Sequence, residues 1–116
     1  MKLQRLTVGC AAVVALLLPV ASGAAVLSCG VNTIDNVYVQ GNRDDNFEHA
    51  NKAIAKLNVP CNGVDLVFIE NTSPMYKSFL ATLLTAFASG VQVSVYVNTS
   101  QTISNGTQIS ILQFVK

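Results

Sequence analysis

The spacing of apolar side chains divides this chain into segments of different kind. Val8 to Val20 is an almost unbroken apolar run behind a basic start, Lys2 and Arg5. From Gly30 the pattern becomes periodic. Val31, Thr33, Asp35, Val37 and Val39 share one parity, and Ile34, Asn36, Tyr38 and Gln40 the other. Such β-branched and aromatic alternation predicts a first strand over 30–40, with a bend or bulge at Asp35-Asn36. Gly41-Asn42 reads as a turn. In Arg43 to Leu57, Phe47, Ala50, Ile54 and Leu57 recur at spacings of three and four. With acids in its first turn and lysines near its end, the segment predicts a helix stopped by Asn58 and Pro60.

Gly63 to Glu70 is apolar on both parities at its centre and predicts a buried strand. Ser73 and Pro74 suit an N-cap and a first helical position. A helix is then predicted over Pro74–Ser89, with Met75, Tyr76, Phe79, Leu80, Leu83, Leu84 and Phe87 on one broad face and Gly90 as its stop. Val91 to Val97 alternates as a half-buried strand, 98–106 reads as a polar loop, and Thr107 to Val115 predicts the last strand. The expected order is strand, helix, strand, helix, strand, strand, with room for a short extra strand at 58–61. The fold class is α+β, mostly antiparallel, either a small barrel with a packed long helix or a sheet covered by helices.

The apolar run is about 13 residues, too short for a helix to span roughly 30 Å of bilayer. Ser22-Gly23-Ala24 supplies small residues before a cut after Ala24. Residues 1–24 therefore read as a secretory signal peptide and 25–116 as one small domain. The expected location is secreted or periplasmic, with no stable membrane insertion once the signal is removed. After the cut, six acids face five bases, so no basic surface remains for nucleic acid. Cys10 leaves with the signal, and Cys29 and Cys61 remain as an even pair in an oxidising compartment. They are predicted to form a disulfide. Cys29 also follows Val26-Leu27-Ser28, a distant form of a lipoprotein box, and lipidation there would preclude the disulfide.

Chemistry-bearing clusters are few. His49 is the single histidine, and there is no CxxC pair, so neither a metal centre nor a cofactor is expected. Asp45 and His49 stand four apart, as a helix face would allow, but they lie in what reads as a solvated helix start. Asp65 and Glu70 have odd separation on one strand and so occupy opposite faces. Gly41, Gly63, Gly90 and Gly106 are isolated turn glycines rather than a phosphate loop. Asn71, Asn98 and Asn105 begin N-x-S/T triplets. No catalytic residue is expected, and the chain reads as a binding protein rather than an enzyme.

The stretch Ser78-Phe-Leu-Ala-Thr-Leu-Leu-Thr-Ala-Phe-Ala-Ser-Gly90, followed by Val93-Ser94-Val95-Tyr96 and a final strand, resembles the B subunits of bacterial A–B toxins of the subtilase-cytotoxin and pertussis-like type. The resemblance implies an OB-like β-barrel, a homo-oligomer (a ring of five), glycan binding and an A-type enzyme subunit as partner. It also implies that the helix lies near a central pore, with Lys77, Ser78, Ala81, Thr82 and Thr85 as its oligomer or pore face. It assigns no sugar-binding residue, because Cys29 and Val97 stand where glycan-binding relatives place a serine and a tyrosine. The other reading is a monomeric periplasmic or envelope protein with a structural or inhibitory role.

Overall fold

The computed structural model describes residues 24–116, so the signal-peptide segment, save Ala24, lies outside the described residues. Its elements are β1 (Val26–Asn32), β2 (Ile34–Gln40), β3 (Lys52–Cys61), β4 (Val64–Glu70), α1 (Tyr76–Ser89), β5 (Val93–Ile103) and β6 (Gly106–Phe114). The strands form one mixed sheet in the order β1-β5-β6-β4-β3-β2. The β4–β6 pair is parallel and the other four are antiparallel. The parallel pair follows from connectivity: the chain leaves β4 through α1 and returns by the β5–β6 hairpin.

The ladder order is that of an open sheet rather than a closed barrel. Its two edge strands are nevertheless consecutive stretches of chain, separated only by Thr33. At that crossing, Asn32 is buried and its side chain imitates a strand partner. Its Nδ2 donates to the Val59 carbonyl at 3.0 Å, and its Oδ1 accepts from the Val59 amide at 2.9 Å. The Asn58 amide donates to the Thr33 carbonyl at 3.0 Å. The Cys29–Cys61 disulfide, with Cα atoms 5.4 Å apart, makes a second tie between β1 and the end of β3. Side-chain and covalent links thus join β1 to β3 where no ladder runs.

Alternation builds the core. Ala53, Ala55 and Leu57 of β3, Val67 and Ile69 of β4, Val93, Val95 and Val97 of β5 and Ile109 of β6 are buried together. Phe79, Leu83 and Ala86, at spacings of four and three on α1, close this layer. The helix ends as expected: Gly90 takes the left-handed conformation at φ 74°, and its amide donates to the Ala86 carbonyl at 2.8 Å. Its start differs. Ser73 Oγ accepts from the Met75 amide in a preceding turn, Met75 is the N-cap, and the helix begins at Tyr76 rather than Pro74.

The helix expected over 43–57 does not form, and α1 is the single helix among the described residues. Residues 43–51 turn and 52–61 are strand. Asn46 and Asn51 sit at φ 57° and 60°, in the left-handed region that ends a helix. Beyond them, Ala53, Ala55 and Leu57 keep a period of 2, and Ile54, grouped with Leu57 by the helical spacing, falls on the other face of the strand. Burial of Ala53, Ala55 and Leu57 against α1 outweighs the helix propensity of Ala, Lys and Leu. The 98–106 segment is likewise not a loop, since β5 continues to Ile103 and turns through Ser104-Asn105 alone. The expected bulge at Asp35 is present as a register shift between Ile34 and Asn36.

Candidate functional site

Polar chemistry gathers on the side of the sheet opposite α1. Residues 41–51 form an Ω-shaped strap whose ends are tied by the Asn51 amide, donating to the Gly41 carbonyl at 3.0 Å. Arg43 braces its first half. Nε and Nη2 donate in a fork to Asp45, at 2.9 and 2.7 Å, and Nη1 donates to Gln40 at 2.7 Å. The fork, together with the Phe47 amide, holds the exposed Asp45 carboxyl down at about 2. The Arg43 guanidinium also lies 4.9 Å from the Phe47 ring centre. Glu48 fixes the strap to the β5–β6 turn: one carboxylate oxygen accepts from the Ser104 amide at 2.9 Å, the other from the Ser104 hydroxyl. These two bonds hold the Glu48 carboxyl below the usual carboxylate range.

His49 lies beneath the strap, only 8% exposed. Its Nδ1 meets the Tyr38 hydroxyl at 3.2 Å, and its ring centre is 4.7 Å from that of Phe47. Its Nε2 is buried with no hydrogen-bond partner. Burial, and secondarily the Asp65 carboxylate, raise the Tyr38 phenol above its usual range. Tyr38 pairs with Ile54 across β2–β3, and Ile54 with Phe68 across β3–β4. Ile54 and Phe68 are 0% and 3% exposed yet lie outside the main apolar cluster. Alternation places them on the opposite face of the sheet from Ala53, Ala55 and Val67. His49 and Phe47 of the strap thus pack at Tyr38, beside a second, smaller apolar layer.

Where the strap meets β3, a shallow cleft of about 240 Å³ is lined by Ala50, Asn51, Lys52, Glu70, Asn71 and Thr72. The Lys52 ammonium donates to the Ala50 carbonyl at 3.3 Å and stands 5.8 Å from the Phe68 ring centre. On the same sheet, Lys56 lies between Asp35 and Asp65, at 3.9 and 3.7 Å. These are half-exposed pairs of small energetic weight.

The structure separates the residues that the sequence brought close. Asp45 pairs with Arg43 while His49 turns inward to Tyr38, so they form no acid–base couple. Among the described residues no group of three or more His, Cys, Asp or Glu side chains could hold a metal ion. On α1, Lys77, Ser78, Ala81 and Thr85 are exposed and Thr82 is half-buried. Thr82, Thr85 and Ser89 each donate to the carbonyl four residues back, on Ser78, Ala81 and Thr85, at 3.0, 2.8 and 2.6 Å. Their hydroxyls are spent on the helix itself, which leaves a low face of methyl groups and small side chains. The predicted apolar face is divided. Phe79 and Leu83 are buried, whereas Leu84 and Phe87 are 47% and 46% exposed.

The strap and its buried histidine were missed in the sequence because the segment read as a helix. The signal was there in Asn46 and Asn51, since asparagine is the residue after glycine that most readily takes positive φ. Compared with protein-family models and with curated proteins, the chain matches none.

Proposed function

We propose that the chain is a secreted or periplasmic, non-enzymatic binding module resembling a toxin B subunit. It acts as a homo-oligomer, a ring of five, that contacts cell-surface glycans or an A-type enzyme subunit. The observation that carries this reading is the outward side of α1. Leu84 and Phe87 stand exposed beside a face of small side chains on which the hydroxyls of Thr82, Thr85 and Ser89 already have partners, so a neighbour approaching it would leave those three donors satisfied. An OB-like arrangement is supported by the strand order, in which one bent segment, β1 and β2, supplies both edges, and by the parallel β4–β6 pair. An extracytoplasmic location is supported by the Cys29–Cys61 disulfide. No helix among the described residues is long and apolar enough to cross a membrane.

Size-exclusion chromatography with light scattering on the oxidised protein tests assembly, and a glycan array tests binding. A wild-type oligomer that Ala81→Leu and Thr82→Leu dissociate, with glycan retention lost in the dissociated form, supports the reading. Multivalency alone can raise weak single-site affinity by about 10²–10⁴. A stable monomer with a silent array refutes it in favour of the monomeric envelope protein.

A further inference from the structure

We propose that the 41–51 strap is an acid-released latch, opened by protonation of His49, and that its opening uncovers Tyr38 beside the Ile54–Phe68 layer. The geometry rests on the two ring nitrogens. In neutral imidazole one nitrogen carries hydrogen and the other a lone pair, and a single hydroxyl at Nδ1 suits either tautomer. In imidazolium both nitrogens are donors. Tyr38 can accept from one, but Nε2 is buried with no acceptor in reach of it. A buried cationic N–H without a partner is costly, and the strap is the side of the enclosure whose opening breaks no strand pairing.

The charged groups around His49 do not supply the missing acceptor. On the strap, the Asp45 carboxylate is engaged by Arg43 and the Glu48 carboxylate by Ser104. From β2, Tyr38 presents a phenol held neutral. From β3, Lys52 presents a cation, engaged with the Ala50 carbonyl. From β4, Asp65 is held by Lys56 and acts on the Tyr38 side. The Phe47 ring face favours an imidazolium by a cation–π contact, yet it belongs to the strap and moves with it. Glu48 favours the charged ring through space, but turning its carboxylate to Nε2 would break the anchor to Ser104, which itself loosens the strap. Both responses to the proton lead to the same opening.

The magnitude follows from linkage. A solvent-exposed histidine titrates near 6.5. If only the open strap accepts the proton, the open-to-closed ratio at pH 5 rises by about 30-fold over its value at pH 8. Amide hydrogen exchange of Asn51, whose N–H closes the strap on the Gly41 carbonyl, and of Ala50, whose N–H donates to the Phe47 carbonyl in the turn that carries His49, reads this ratio once corrected for the intrinsic pH dependence of exchange. The oxidised full chain should lose about 30-fold of protection at these two amides between pH 8 and 5, while Val95 in the main core stays protected. His49→Phe, which keeps an aromatic ring and cannot take a proton, should hold strap protection constant over the same range. Protection that is independent of pH in the wild type, or that falls equally in His49→Phe, overturns the latch. Should His49→Phe fail to fold, the wild-type imidazole resonances decide alone. Protonation of His49 with Ala50 and Asn51 still protected overturns the proposal, and coincident loss upholds it. Staying above pH 5 keeps protonation of Glu48 out of the measurement.

Discussion

Asn32 offers the sharpest test of how the sheet is joined at its two edges. Its amide makes two hydrogen bonds to Val59, one as donor and one as acceptor, at 3.0 and 2.9 Å, from a side chain 3% exposed. Asn32→Ala removes both and leaves the Val59 backbone to whatever water reaches it, an expected loss of about 1–3 kcal/mol. Asn32→Asp is the discriminating change because it alters only one of the two bonds. The acceptor from the Val59 amide survives, but a carboxylate oxygen now faces the Val59 carbonyl where a donor stood. At pH 7 the variant should lose about 3–4 kcal/mol, more than the alanine change despite being nearly isosteric.

The pH dependence of that loss has a definite sign. Burial and the facing carbonyl both raise the folded-state pKa of the introduced carboxyl above its unfolded value of about 3.9. The folded variant then binds more protons than the unfolded chain, so its stability relative to wild type rises as pH falls through the raised value. The protonated carboxyl restores a donor opposite the carbonyl, and each unit of raised pKa returns about 1.4 kcal/mol. Urea unfolding of wild type, Asn32→Ala and Asn32→Asp at pH 7 and pH 4, followed by circular dichroism, measures all three quantities. Asn32→Asp no worse than Asn32→Ala at pH 7, or a deficit that does not shrink on acidification, would refute the side-chain splice between β1 and β3.

Three further outcomes are expected. The disulfide spans a sequence separation of 32 residues, so Cys29→Ala with Cys61→Ala should cost about 3–4 kcal/mol in urea unfolding, and less than half of that would show the reduced chain already held at this point. The Glu48 carboxyl should titrate below its ordinary 4.5 in carbon-13 NMR and move back toward it in Ser104→Ala; because its folded value is lowered, the strap anchor is fully present above about 4.5 and fails as pH falls through the lower value. Gly106→Ala would set a methyl 3.2 Å from Ile103 Cγ1 and 3.4 Å from the Leu66 carbonyl, an expected cost of about 1–2 kcal/mol in thermal unfolding, whereas Gly41→Ala meets nothing within 4 Å and should be near neutral.

Local chemistry alone determined a good part of this protein. The strand over β4, the alternation of β5, the helix α1 with its glycine stop and the pairing of Cys29 with Cys61 are all visible in residue order. For the strands and the helix propensity, periodicity and capping agree, and for the cysteines the even count in an oxidising compartment suffices, so no distant contact is needed to choose between structures. Only tertiary structure decided the fate of 43–61. Ala50, Ile54 and Leu57 offer a helical spacing and Ala53, Ala55 and Leu57 a strand period, and the choice turned on what the second set could be buried against. That partner, α1, lies some twenty to thirty residues further along the chain. Residues 98–106 were decided in the same way: a polar run extends as strand because β6 offers a ladder for its backbone, which side-chain polarity does not reveal. The candidate site shared that fate. Once 43–51 became a strap, Glu48 reached Ser104, fifty-six residues away, and His49 turned inward beneath Phe47 to meet Tyr38. No spacing along the chain encodes those meetings, because they follow from which face of the sheet each strand turns to the strap.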